Sequence, residues 1–253
     1  MQTWTNQHRK KRNLQEKIIE TILLLAALTS VLTTFGILEV LIGESVYFFQ
    51  KVPLKLFLTD TQWSPLFADP RYGILPLLSG TLVTSIVAML VAIPLGTIVA
   101  IYLSEFAPAK VREIAKPFLE LLAAIPTVVY GYFALLSVTP LLQTIFPDLP
   151  GFNMLSAGLV MGLMIIPLIS SISEDAMRAV PQSIKEGSYA MGATRLQTAL
   201  KVVFPSAISG ISAAYILGIS RAVGETMIVP IAAGLQPNLT WNPLDQAATI
   251  TAY

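Results

Sequence analysis

The chain has 253 residues, 54% of them apolar and only 12% charged, with a formal net charge of +1 and a mean hydropathy of +0.69. Soluble domains carry about 25% charged residues, so this composition excludes a soluble globule and places most of the chain in hydrocarbon, while the near-zero net charge excludes a surface that gathers nucleic acid. The absence of cysteine excludes disulfides, thiol nucleophiles, iron–sulfur clusters and thiolate zinc sites.

The first segment is a basic tail, residues 1–17, holding Arg9, Lys10, Lys11, Arg12 and Lys17. It also holds His8, the sole histidine, which has no second imidazole with which to complete a metal shell. Long apolar runs follow over residues 18–42, 75–103, 118–142, 154–173 and 206–234, predicting five spanning helices. The first run is too long for a signal peptide and no small-residue cleavage site follows it, so it reads as an uncleaved anchor. Loop 43–73 carries Tyr47, Trp63, Tyr72 and several phenylalanines among charges and prolines, a composition suited to the outer interface, with the aromatics as anchors. Pro94, Pro126 and Pro167 interrupt later runs and predict kinks. After residue 246 the chain turns apolar again, Ala247 to Tyr253, as the start of a sixth helix that is cut off.

Basic residues set the orientation, because Lys and Arg are retained on the cytoplasmic side. The tail, the 104–117 region with Lys110, Arg112 and Lys116, and the segment before the fifth run with Arg178, Lys185, Arg195 and Lys201 together hold twelve. The opposite loops hold Lys51, Lys55 and Arg71. The amino terminus is therefore expected in the cytoplasm. The acids Glu20, Glu39, Glu105 and Glu120 fall near span ends and are expected at the water interface.

Residues 174–205 form the most informative polar segment. Pro181 stands where a helix can begin, Gly192 where one can end, and Thr194 can cap a second helix that runs to a break at Pro205. Gly187 inside the first short helix costs about 1 kcal/mol relative to alanine, which points to close approach by something. Such a helix, with Ile184, Ala190 and Met191 among its apolar positions, suits a groove on another protein; an ordinary connecting loop is the other reading.

The fifth run is apolar or small except for Arg221 and Glu225 near its middle. A charge at that depth costs about 2.5–3.5 kcal/mol and needs a partner or water. Four-residue spacing on one helix places the two on one face, and the guanidinium offers a planar fork to two oxygens of an oxyanion. Arg221 and Glu225 therefore form either a gated anion site, with Glu225 holding Arg221 until an anion competes, or a structural salt bridge. Ser206, Gly210, Ala214, Gly218 and Ala222 make a ridge of small residues for close helix packing.

Glu186-Gly187-Ser188, then Gly192, then Val202-Val203-Phe204-Pro205 resembles the E-A-A, three residues, G, nine residues, I-x-L-P loop of ABC importer permeases, with both gaps kept. The resemblance extends over YGILPLLSGTLVTS (72–85), IPLGTIVAIYLSEFAP (93–108), AIPTVVYGYFAL (124–135) and SRAVGETM (220–227), which are similar to the phosphate-specific permeases of PstC-like type. It implies an all-α polytopic transmembrane helix bundle of the type I importer permease kind with six spans, five of them visible in the sequence. It further implies that Glu186, Gly187, Ser188 and Gly192 dock a separate ATPase subunit. The implied partners are a second, PstA-like permease half in a heterodimer, an ATPase dimer and an extracytoplasmic phosphate-binding protein, in a bacterial inner membrane.

ATP and Mg are expected on that partner and no cofactor or metal on this chain, because G-S-Y-A-M-G-A-T at 187–194 places Ala193 where a phosphate-binding loop has lysine. With one histidine in the tail, a Ser–His–Asp hydrolase has no basis, so the chain reads as a transport subunit and not an enzyme. A permease for molybdate or sulfate, or an ion-coupled carrier or channel, is the alternative.

Overall fold

The computed structural model describes residues 2–253, with side chains from residue 16 onward. His8 and the basic residues 9–12 lie outside the described side chains. Described residues are helical, with a single isolated bridge between Trp63 and Tyr72. Two compact units divide at Leu56.

The first unit is α1 (Gln2–Lys51). Its apolar stretch, Glu16–Lys51, is exposed along its length, and the helix runs nine residues past the expected end of the first span at 42. Thr21, Thr29, Thr33, Thr34 and Ser45 each return a hydroxyl to the carbonyl four residues back, so these side chains bring no unpaired donor into lipid.

In the second unit, residues beyond α2 (Leu54–Thr59) turn back on themselves: Asp60 pairs with Arg71, and Trp63 packs edge-on against both Tyr72 and Tyr253. The bundle proper begins with α3 (Leu75–Ile101), followed by α4 (Ala109–Ala124), α5 (Thr127–Phe133), α6 (Thr139–Ile145) and α7 (Met154–Arg178). The remaining helices are α8 (Gln182–Ala190), α9 (Arg195–Thr198), α10 (Phe204–Ser206), α11 (Ile208–Val223) and α12 (Ile228–Ala232).

The core lies where α7 meets α3 and α11, with Met161, Met164, Ile165 and Ile169 fully buried. Missing side chains make this possible. A Cβ on Gly158 would stand 2.6 Å from Val87, one on Gly162 2.8 Å from the Ala88 carbonyl oxygen, and one on Gly96 2.8 Å from Ile169. Gly210 sits against Ala176 and Gly218 against Ile165 and Ile169, so the small-residue ridge packs on α7 as expected, apart from Ser206, which is exposed.

Three widened, π-type turns, Tyr102–Phe106, Ala134–Val138 and Ala199–Val203, share one cause. Each is followed at the second residue by proline: Pro108, Pro140 and Pro205. The carbonyl four residues before each proline, which its ring would strike, belongs to Ser104, Leu136 or Lys201, at the centre of the widened turn. Widening relieves the clash and lets the helix continue past Pro140 and Pro205, whereas after the first widened turn the chain leaves the helix, Ala107 being extended at ψ 131°.

Several expectations are corrected. Pro94 and Pro167 are carried inside continuous helices, whereas Pro126 follows a true break, Ile125 being extended at ψ 130°. The third span is therefore Thr127–Ile145, not 118–142, and residues 109–124 form the separate α4. The break expected at Pro205 falls at Ala207, because the widened turn absorbs the proline; Arg195–Ser206 and Ile208–Val223 meet there at 73°. The fifth run is not one helix: α11 ends at Val223 and α12 starts at Ile228. In residues 247–253, Ala247, Ala248 and Thr249 are buried, and the last residues form one turn in which Tyr253 N–H donates to the Thr249 carbonyl. Among the described residues, four helices are long and apolar enough to cross a membrane alone, five with the bent pair counted once.

Because the Ala88 carbonyl oxygen cannot retreat without breaking α3, Gly162→Leu is expected to destabilise the bundle by about 1–3 kcal/mol through overpacking. Thermal unfolding in detergent measures this; an unchanged midpoint would mean that α3 and α7 are not in close contact.

Candidate functional site

Two regions contain the residues singled out from the sequence. The first is the segment joining α7 to α11. Pro181, with φ −56° and ψ 137°, opens α8; Gly192, at φ +84°, is a left-handed corner that only glycine takes without strain. Thr194 accepts from Gln197 N–H while the Gln197 side chain accepts from Thr194 N–H, a reciprocal capping box that starts α9. Ser188 and Thr198 share a hydrogen bond of 2.9 Å across the corner, so α8 and α9 form one folded hairpin.

Glu186, Gly187 and Gly192 are exposed and Ser188 is half-buried. Among the described residues nothing lies within 4 Å of a Cβ built on Gly187, so none of them makes the close approach expected there. Ile184, Met191 and Leu196 expose large apolar surface nearby. The arrangement is an open, preformed face on a stiff hairpin, able to receive another protein.

Charge pairs fasten this end of the bundle. Glu174 on α7 is fully buried among Lys116 and Arg112 of α4 and Arg178 of its own helix, and Lys116 also bonds Asp175 at 2.6 Å. Burial works against the Lys116 ammonium, but hydrogen bonds to Asp175 and Glu174 and both negative charges outweigh it and hold the group above its ordinary value of 10.5. Its contribution to folding is thus complete below that value and is lost only as the pH rises through the higher folded value. Lys185 on α8 meets Glu105 on the widened turn after α3 at 2.6 Å, with side chains 11% and 7% exposed. Glu105 is therefore not at a water interface as expected; its carboxylate is buried against a cation from a segment 80 residues later. These clusters were missed because their partners are distant in sequence. The one local signal was the four-residue spacing of Glu174 and Arg178.

The second region surrounds Arg221 and Glu225, which the structure does not bring together as a helix-face pair. Gly224 ends α11 at φ −86°, ψ 6°, so Glu225 leaves the helix before four-residue geometry can form. Its Oε1 instead accepts from the N–H groups of Met227, at 2.9 Å, and Ile228, at 3.2 Å, capping α12. Its own carbonyl accepts from the Thr251 hydroxyl at 2.7 Å. Glu225 is 6% exposed and its charge is used on backbone donors.

Arg221 is half-buried. The antiparallel register that sets Gly210 against Ala176 and Gly218 against Ile165 and Ile169 brings it level with the middle turn of α7. Its charge acts on the phenol of Tyr130 on α5, whose hydroxyl donates to the Leu122 carbonyl. Among the described residues no hydrogen bond or ion pair engages the guanidinium. Thr97 of α3 and Tyr215 of α11 share a hydrogen bond of 2.6 Å one and a half turns below it. What stands at mid-depth is therefore a fork of five donors beside a helix break, open to an anion from outside the chain.

Replacing Glu225 by alanine removes the α12 cap and is expected to cost about 0.5–2 kcal/mol, with glutamine, which keeps an acceptor oxygen, losing less. Thermal melts of the two variants in detergent decide this, and equal losses would assign Glu225 a role that depends on its charge.

Residues 92–240 match the family described as Binding-protein-dependent transport system inner membrane component. The Bacillus subtilis protein named Probable ABC transporter permease protein YqgH is 41% identical over 195 residues, covering 77% of this chain and 63% of that protein. The Phosphate transport system permease protein PstC of Xylella fastidiosa is 35% identical, covering 78% of this chain and 66% of its own, so the chain spans just under two thirds of the length of these two relatives. PstC of Haemophilus influenzae is 33% identical over 258 residues, covering 92% of this chain and 80% of its own. The bent fifth span, the α8–α9 hairpin and most of the bundle core fall inside the matched residues, and the chain belongs to the inner membrane component family of binding-protein-dependent transport systems.

Proposed function

We propose that this chain is the transmembrane subunit of an ATP-driven importer of inorganic phosphate. The observation that carries the proposal is Arg221: a guanidinium level with the middle of α7 with no acceptor among the described residues. Such a charge costs about 2.5–3.5 kcal/mol unless it is compensated, and a tetrahedral oxyanion supplies two oxygens to its planar fork. The names of the Xylella and Haemophilus relatives, both phosphate transport permeases, support phosphate as that oxyanion.

In this reading the amino terminus and the end of the bundle bearing Lys110, Arg112, Lys116, Arg178, Lys185, Arg195 and Lys201 face the cytoplasm, in keeping with the retention of basic residues there. Glu186, Gly187, Ser188 and Gly192 form the face that docks the ATPase subunit, which binds ATP and Mg. A PstA-like second permease half completes the path as a heterodimer, and an extracytoplasmic phosphate-binding protein delivers the ion. Arg221 receives phosphate at mid-membrane. Glu225 borders the path and holds open the break between α11 and α12, so that backbone beside Arg221 faces the ion instead of closing into a helix. Rocking of the bundle by the ATPases exposes Arg221 to each side in turn.

Loss of a charge-assisted contact is worth about 1.5–3 kcal/mol. Arg221→Ala is thus expected to slow ATP-dependent phosphate uptake by about tenfold to a hundredfold in vesicles holding all subunits, with the complex still assembling. Full uptake by the variant would remove Arg221 from the path, and loss of assembly would make it a structural residue.

A further inference from the structure

We propose that the buried Lys185–Glu105 ion pair is the link through which the docking helix α8 moves the spanning helix α3, so that Lys185 and Glu105 position the transport machinery. The inference rests on the importer reading and adds to it the place where force enters the bundle.

Along the chain, α8 is joined to α7 through residues 179–181 and to α11 through the left-handed corner at Gly192 and the 73° bend at Ala207. Across space, an ion pair joins it directly to the end of α3. Lys185 is the one residue of α8 that is buried, and among the described residues its 2.6 Å contact with Glu105 is the one ion pair joining α8 to a spanning helix.

Glu105 does not sit on a frayed end. It lies in the widened turn that closes α3, where Ala107 N–H donates to the Tyr102 carbonyl, and Arg112 of α4 donates to the carbonyls of Leu103 and Ala107. A pull on Glu105 is therefore delivered to a turn held from both sides. From there α3 is rigidly engaged. Gly96 is packed on Ile169 of α7, and Thr97 is hydrogen-bonded to Tyr215, six residues before Arg221 on α11. A charge pair with both partners about nine-tenths buried is well suited to this work, because neither can exchange its partner for water without a large desolvation imbalance.

The test uses the complete complex in lipid vesicles, with phosphate transported per ATP hydrolysed as the readout and co-purification of the ATPase subunit as the measure of docking. Lys185→Met and Glu105→Gln are each expected to keep the ATPase subunit bound while transport per ATP falls at least about fivefold, the low end of usual coupling energies. The charge-swapped double variant, Lys185→Glu with Glu105→Lys, is expected to regain most of it. Three results overturn the inference: single variants that transport normally, single variants that lose the ATPase subunit, or a swap that recovers nothing. Wild-type vesicles that import no phosphate overturn the proposed substrate instead. The link is then judged on stimulation of ATP hydrolysis by the binding protein, which the single variants lose and the swap regains if the inference holds, and which stays unchanged in the single variants if it does not.

Discussion

Hydrocarbon offers no water to an ionised side chain, and the way each membrane-level charge in this chain is compensated organises what surrounds it. Glu174 is buried but enclosed by Lys116, Arg112 and Arg178. Glu105 is buried against Lys185. Glu225 spends its charge on two backbone donors at the start of α12. Arg221 receives nothing equivalent from the described residues, and the proposed phosphate path rests on this asymmetry. A buried ion pair is a poor source of stability compared with apolar packing, so the first two clusters are better understood as fasteners that specify which helix meets which.

Arg221 is held at a defined depth by close packing. Glycines on α3, α7 and α11 remove the side chains that would keep the helices apart, and the resulting register fixes α11 against α7 to within a residue. The helix break then falls where Gly224 lets the chain leave α11, and the Glu225 cap keeps it from re-forming. Proline acts by a related route. Each widened turn takes up one proline ring and so lets a helix bend or end without unpaired carbonyls, which places Glu105 and the bend at Ala207 where the docking hairpin meets the bundle.

Features set by local chemistry were legible in the sequence. The start at Pro181, the left-handed corner at Gly192, the cap at Thr194 and the small-residue ridge on α11 follow from backbone rules that act over a few residues. Spans at 75–103 and 154–173 were legible because their hydropathy is continuous. The separation of Arg221 from Glu225 was not, because glycine inside an apolar run reads equally as a packing contact and as a terminator, and here it terminates. Equally hidden were the different fates of Pro126, which follows a break in the helix, and Pro94, which stays inside α3. Glu105 reads as an interfacial acid at a span end and Lys185 as one of the basic residues of the segment before the fifth run, and their meeting is set only by the fold.

The most direct measurement of the central claim uses the absence of cysteine from this chain. Ser220, exposed beside Arg221 on α11, is replaced by cysteine in the assembled complex in lipid vesicles, and the rate of its modification by a water-soluble thiosulfonate is followed. If Arg221 lies on a phosphate path, the thiol reacts from the aqueous phase, and inorganic phosphate, but not chloride at equal ionic strength, slows the reaction. A thiol that stays unreactive with and without ATP, or one whose rate phosphate leaves unchanged, would contradict the account.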